Sequence, residues 1–68
     1  MSAVFEGRVL GMTCGHCVAS VTEEIGELAG VTAVDVVLET GAVTVTSVEV
    51  LDEATVRAAV EEAGYQLA

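Results

Sequence analysis

The hydrophobic pattern of this chain changes its period repeatedly within 68 residues, and those changes restrict the fold more than any other feature. From Val4 to Leu10 the period is two, with Phe5, Gly7 and Val9 on one side and Glu6 and Arg8 on the other, which predicts a strand. From Cys17 onward Val18, Val21, Ile25 and Leu28 recur at spacings of three, four and three, opposite Thr22, Glu23, Glu24 and Glu27. That spacing predicts an amphipathic helix ending near Ala29, with Gly30 as its stop. Next, Val34, Val36 and Leu38 alternate with Asp35, Val37 and Glu39. After Thr40-Gly41, Val43 and Val45 alternate with Thr44 and Thr46, so two β-branched runs joined by a glycine-containing turn predict a hairpin.

A second helix is predicted from Asp52, whose carboxylate can accept a bond from a backbone N–H left unpaired in the first turn. Leu51 and Val56 occupy the two positions of a hydrophobic staple. Val56, Ala59, Val60 and Ala63 form the buried stripe, Gly64 ends the helix, and Tyr65 to Ala68 supply one short last strand. The order is β-α-β-β-α-β. A four-stranded antiparallel sheet with both helices on one face satisfies it at minimal length, an α+β ferredoxin-like sandwich occupying residues 1–68 as one domain. Gly7, on the inward side of the first strand, leaves a gap for a neighbour such as Phe5.

Charge excludes several classes of partner. Eleven carboxylates face two arginines and no lysine, for a net charge of -9. Counterion release from nucleic acid needs clustered cations, and attraction to anionic lipid needs them too, so neither surface is a partner. Uninterrupted apolar runs, Val36 to Leu38 among them, stop at three residues, which leaves nothing to insert in a membrane. No basic region followed by an apolar stretch opens the chain, and a cytoplasmic protein is the expectation. With 53% hydrophobic residues, the chain is not a disordered acidic tail.

Chemistry concentrates in Gly11-Met12-Thr13-Cys14-Gly15-His16-Cys17-Val18. Cys14 and Cys17 are too close in sequence to staple distant segments, and in a reducing compartment such a pair is a metal or redox site. The pattern puts Cys14 in a mobile loop and Cys17 in the first helical turn, where unpaired N–H groups and the positive dipole end favour thiolate over thiol. Structural zinc asks for four ligands, more than two cysteines and His16 provide. Soft thiolates select Cu(I), which two sulfurs satisfy in near-linear geometry while leaving room for a third from a partner.

The segment GMTCGHCVASVTEEIGELAGV, Gly11 to Val31, resembles the heavy-metal-associated domain and, within it, the bacterial CopZ-type copper chaperones. The similarity runs over essentially the whole chain, including Ala63-Gly64-Tyr65. It implies the ferredoxin-like fold, Cu(I) held by Cys14 and Cys17, no enzymatic activity, and delivery to the metal-binding domain of a copper-exporting P-type ATPase. Thr13 resembles the copper branch of the family, where the zinc and cadmium branch tends to carry Asp. Tyr65 matches an aromatic residue near the metal loop of bacterial members.

Other residues have two readings each. His16 is an exposed loop residue, a copper ligand, or a charge that favours thiolate and couples metal affinity to pH. Met12 is a core plug beneath the loop or a thioether ligand. Tyr65 is a packed aromatic or a shield over the loop. Glu23, Glu24 and Glu27 form a solvated face or a docking surface for a basic acceptor. Besides a copper chaperone, the chain fits a metal-binding domain excised from a copper-transporting ATPase or, less well, a dithiol redox protein. A copper-responsive regulator is a further partner, and two chains sharing Cu(I) through their thiolates give a copper-bridged homodimer.

Overall fold

The computed structural model describes residues 2–13 and 15–68. Its elements are β1 (Ala3–Leu10), α1 (Gly15–Gly26), β2 (Val31–Val36), β3 (Ala42–Ser47), α2 (Glu53–Glu62) and β4 (Gln66–Leu67). The strands form one antiparallel sheet in the order β2-β3-β1-β4, so the first strand lies between the third and the fourth. This is the ferredoxin-like topology that the periodicities predict.

Alternation decides which face is covered. On β3, Val43, Val45 and Ser47 are buried between half-buried Ala42, Thr44 and Thr46. Facing them across β1 are Phe5, paired with Val45, and Gly7, paired with Val43. The helices close this face with Val21 and Ile25 from α1 and Val56, Ala59 and Val60 from α2, while Val9 and Leu67 complete the core beneath β4. The core is built of aliphatic residues of similar size, and its one large irregularity is at Gly7. A Cβ there would lie 3.1 Å from Phe5 Cε1 and 3.3 Å from Leu67 Cδ1, so the ring fills the space that glycine vacates.

Both helix termini of α2 follow the sequence. Asp52 has extended backbone geometry and its side chain accepts from the Ala54 N–H at 3.2 Å. At the other end Tyr65 N–H donates to Val60 O and Gly64 N–H to Glu61 O, with Gly64 at φ +93°. This pair of bonds around a left-handed residue satisfies carbonyls that the helix leaves open.

Two elements differ from the expectation. Helix α1 starts at Gly15, which places Cys17 in the first turn as expected, but it is regular only to Gly26, not Ala29. Beyond it, Leu28 N–H reaches Ile25 O in a tightened turn, and Leu28 packs against the core instead of extending the helix. Gly30 then serves the turn into β2, its carbonyl accepting from Val48 N–H at 2.8 Å. Strand β2 runs Val31–Val36, so it begins earlier than Val34 and releases Leu38 to the turn. There Val37 N–H donates to Ala42 O and Gly41 N–H to Val37 O, both at 2.8 Å, closing a loop over 38–41. The placement of Cys14 in a loop concerns a residue outside those described.

Gly41 fixes this loop. Its φ is +76°, and a Cβ would meet the Val9 carbonyl oxygen at 2.5 Å, while its own carbonyl accepts from Val9 N–H at 2.8 Å. Gly64 is equally left-handed, but nothing lies within 4 Å of its Cβ position. The left-handed conformation alone costs an L-residue about 1–2 kcal/mol. Urea denaturation of Gly64→Ala is therefore expected to show a loss of about 1 kcal/mol, whereas Gly41→Ala, adding a clash with backbone, loses about 3 kcal/mol or more.

Candidate metal centre

The site is assembled where β1 ends and α1 begins. Strand β1 ends where Leu10 pairs with Gln66 of β4, and the chain turns there through Gly11, Met12 and Thr13. Met12 is half-buried and packs against the core cluster, which ties the turn to the interior. A Cβ on Gly11 would lie 3.5 Å from Tyr65 Cδ1, so the cap of α2 delivers its aromatic ring onto this turn.

Cys17 is the third residue of α1 and is 7% exposed. It lies four residues before Val21 and eight before Ile25, so the thiol stands at the upper end of the stripe that anchors the helix. Sequence periodicity placed that stripe on Val18, Val21, Ile25 and Leu28, whereas Val18 is only half-buried and Cys17 takes the inward position. The i, i+4 spacing of Cys17 and Val21 is the signal that would have found this.

Thr13 Oγ1 lies 3.8 Å from Cys17 Sγ, a contact that spacing did not reveal. With a neutral thiol either group can donate; with a thiolate only the Thr13 hydroxyl can, and a hydrogen bond to the charged form favours it. The helix terminus acts in the same direction. Among the described residues the first turn of α1 carries no carboxylate, in contrast to α2, which begins with Asp52 and Glu53. In a chain with eleven carboxylates, the positive end of α1 is thus kept for sulfur. His16 is exposed on the first turn rather than in a loop, and its carbonyl accepts from Ser20 Oγ at 3.1 Å.

Apolar side chains collar the turn. Leu10 is 46% and Leu38 38% exposed; Leu10 lines two hollows that share Gly11, and Leu38 lines one of them. Thr13 and Cys17 are therefore brought together, Met12 and Tyr65 support the turn from below and beside it, and Cys14 lies outside the described residues.

The chain as a whole is similar to known proteins. The profile of the "Heavy-metal-associated domain" covers residues 8–66. The chain belongs to the heavy-metal-associated domain family. Within that family it is 46% identical over 65 residues to "Copper chaperone CopZ" of Bacillus subtilis (strain 168), a match spanning 90% of each chain. A solved "CopZ metallochaperone" superposes with a TM-score of 0.90 at 33% identity, covering 97% of this chain and 100% of that one. A "copper binding domain from HMA7, a P-type ATPase" superposes at 0.88 with 26% identity, over 100% and 92%. Among the described residues no helix is long and apolar enough to cross a membrane.

The Thr13 contact gives a direct test. In a Cys14→Ser background, Thr13→Val keeps the side-chain volume and removes the donor. Alkylation of Cys17 by iodoacetamide at neutral pH is expected to slow by roughly fivefold, the effect of one hydrogen bond of about 1 kcal/mol.

Proposed function

We propose that the chain is a carrier of Cu(I), held by Cys14 and Cys17 and passed by thiolate exchange to the metal-binding domain of a copper-transporting P-type ATPase. The observation that carries this reading is the setting of Cys17, on a helix start without carboxylates and within reach of the Thr13 hydroxyl. Likeness to proteins named copper chaperone CopZ supports the metal, and likeness to a copper binding domain of a P-type ATPase supports the kind of acceptor.

The chemistry follows from the ligands. An acceptor thiolate adds to the bound Cu(I), a three-coordinate bridged state forms, and one donor sulfur departs. Both sides offer the same kind of sulfur, so the exchange is shallow in free energy and no covalent bond of the protein is made or broken. Cys14 leaves first; Cys17, fixed in the packed stripe of α1, leaves last. Tyr65 and Met12 keep the turn in place while this happens, and His16 is exposed on the first turn of α1. Copper bridging two chains through the same sulfurs is the dimeric form of this centre, and a copper-responsive regulator is a second acceptor of the same chemistry.

The likeness to the ATPase domain also supports a second reading, a relay domain within such a pump, with the same ligands and the same exchange. The mass of the native polypeptide in its source cells separates the two.

Anaerobic titration with Cu(I) against a competing chelator is expected to give one tightly bound ion per chain, lost in Cys14→Ser and in Cys17→Ser. Weak binding together with disulfide-exchange turnover would replace the carrier by a dithiol redox protein. Transfer to an acceptor domain is expected to slow as salt rises from about 0.05 to 0.5 M, because a surface of charge -9 finds its partner by long-range attraction. A rate independent of salt removes the electrostatic part of the reading.

A further inference from the structure

Away from the metal turn, the two helices leave an open groove of about 530 Å³ between them. Its floor is apolar, formed by Leu28, Ala54, Ala58 and Ala59, and its rim carries Glu24 and Glu27 from α1 and Glu62 from α2. Small residues on α2 keep the floor low, while Val21, Ile25 and Val56 are already buried in the core and take no part in it. Along α2 the groove runs from Ala54 to Glu62, about 12 Å at 1.5 Å per residue, the length of two helical turns. On α1 it begins at Glu24, seven residues from Cys17, or about 10 Å along the axis.

The carboxylates cluster at the ends of the two helices. Glu23 and Glu24 belong to the last turn of α1, Glu27 follows it, and Glu61 and Glu62 close α2; among the described residues neither last turn contains a basic side chain. Negative charge at a helix C-terminus opposes the macrodipole, each instance by a fraction of a kcal/mol to about 1. Arg57, the cation of α2, is engaged by Glu53 at 3.4 Å and does not line the groove. The strands that lead into the two helices pair antiparallel, so the helices run in opposite directions. Glu24 and Glu27 thus lie toward the start of α2 and Glu62 at its far end, and cations from outside complement this acidic rim.

We propose that this groove seats a basic amphipathic helix of a partner protein, with apolar side chains in the trough and Lys or Arg against Glu24, Glu27 and Glu62. The chemistry selects this occupant. A second copy of the chain brings the same acidic rim and no lysine, and an anionic lipid surface is repelled. A helix laid along the trough meets it with anchors at i, i+3, i+4 and i+7, and its flanking cations complement the rim. The proposal deepens the carrier reading, from which it takes the existence of a docking partner, but it makes no use of copper.

The test uses a short synthetic helix with leucines at i, i+3, i+4 and i+7 and lysines on both flanks, labelled for anisotropy and followed by amide chemical-shift mapping. Expected are saturable binding, shifts confined to Glu24–Leu28 and Ala54–Glu62, and no change in affinity for Cys17→Ser. The triple substitution Glu24→Gln, Glu27→Gln, Glu62→Gln is expected to weaken binding by roughly tenfold. A control of equal charge change outside the groove, Glu6→Gln, Glu39→Gln, Glu49→Gln, is expected to retain the affinity within about twofold. Equal binding of a scrambled peptide with the same charge, equal weakening by both triple variants, or shifts centred elsewhere overturns the groove. Loss of peptide binding with copper transfer intact removes this proposal alone; peptide binding in a chain that fails to hold copper removes the carrier reading alone.

Discussion

One packed stripe organises the molecule. Cys17, Val21 and Ile25 follow each other at intervals of four along α1, and all three are buried. The contacts that hold the helix against the sheet therefore also hold the sulfur. Val21 and Ile25 share one core with Val43 and Val45, which pair with Gly7 and Phe5 on β1, and β1 is the strand that leads into the turn before α1. The thiol is thus positioned by the strongest part of the core, although it stands at the edge. Stability and ligand placement cannot be altered independently along this line.

The two βα junctions use opposite electrostatic solutions. Helix α2 begins in the usual manner, with Asp52 accepting from Ala54 N–H and Glu53 in its first turn. Helix α1 is denied such residues at its start and is loaded with glutamate at its end. In the frame of α1 alone both choices are unfavourable, and tertiary packing has to offset them. The start of α1 is thereby left free of carboxylate, and its end presents glutamates to the groove beside α2.

Much of this was legible in the sequence. Periodicity identified all six elements, and Asp52, Gly64 and the Phe5–Gly7 relation were readable because each depends on residues close in the chain. What was misplaced depended on distant partners. The end of α1 at Gly26 goes with Leu28 turning in to the core, and the release of Leu38 from β2 with the meeting of Gly41 and the Val9 backbone. Neither neighbour is visible to a local pattern. At the site, Cys14 and Cys17 were conspicuous by spacing, while the Thr13 contact and the inward position of Cys17 needed the helix to start at Gly15. The groove was invisible for the same reason, since it exists only once two helices far apart in sequence lie side by side.

The contact between Tyr65 and Gly11 has one more consequence. The chain has one tyrosine and no tryptophan, so its near-ultraviolet emission comes from a single ring. That ring rests on the turn leading to the sulfurs, held there by the hydrogen-bonded end of α2. Any displacement of the turn changes the surroundings of the fluorophore, whereas events at the far end of the sheet leave it untouched. The molecule thus carries an optical gauge of this turn that needs no added label.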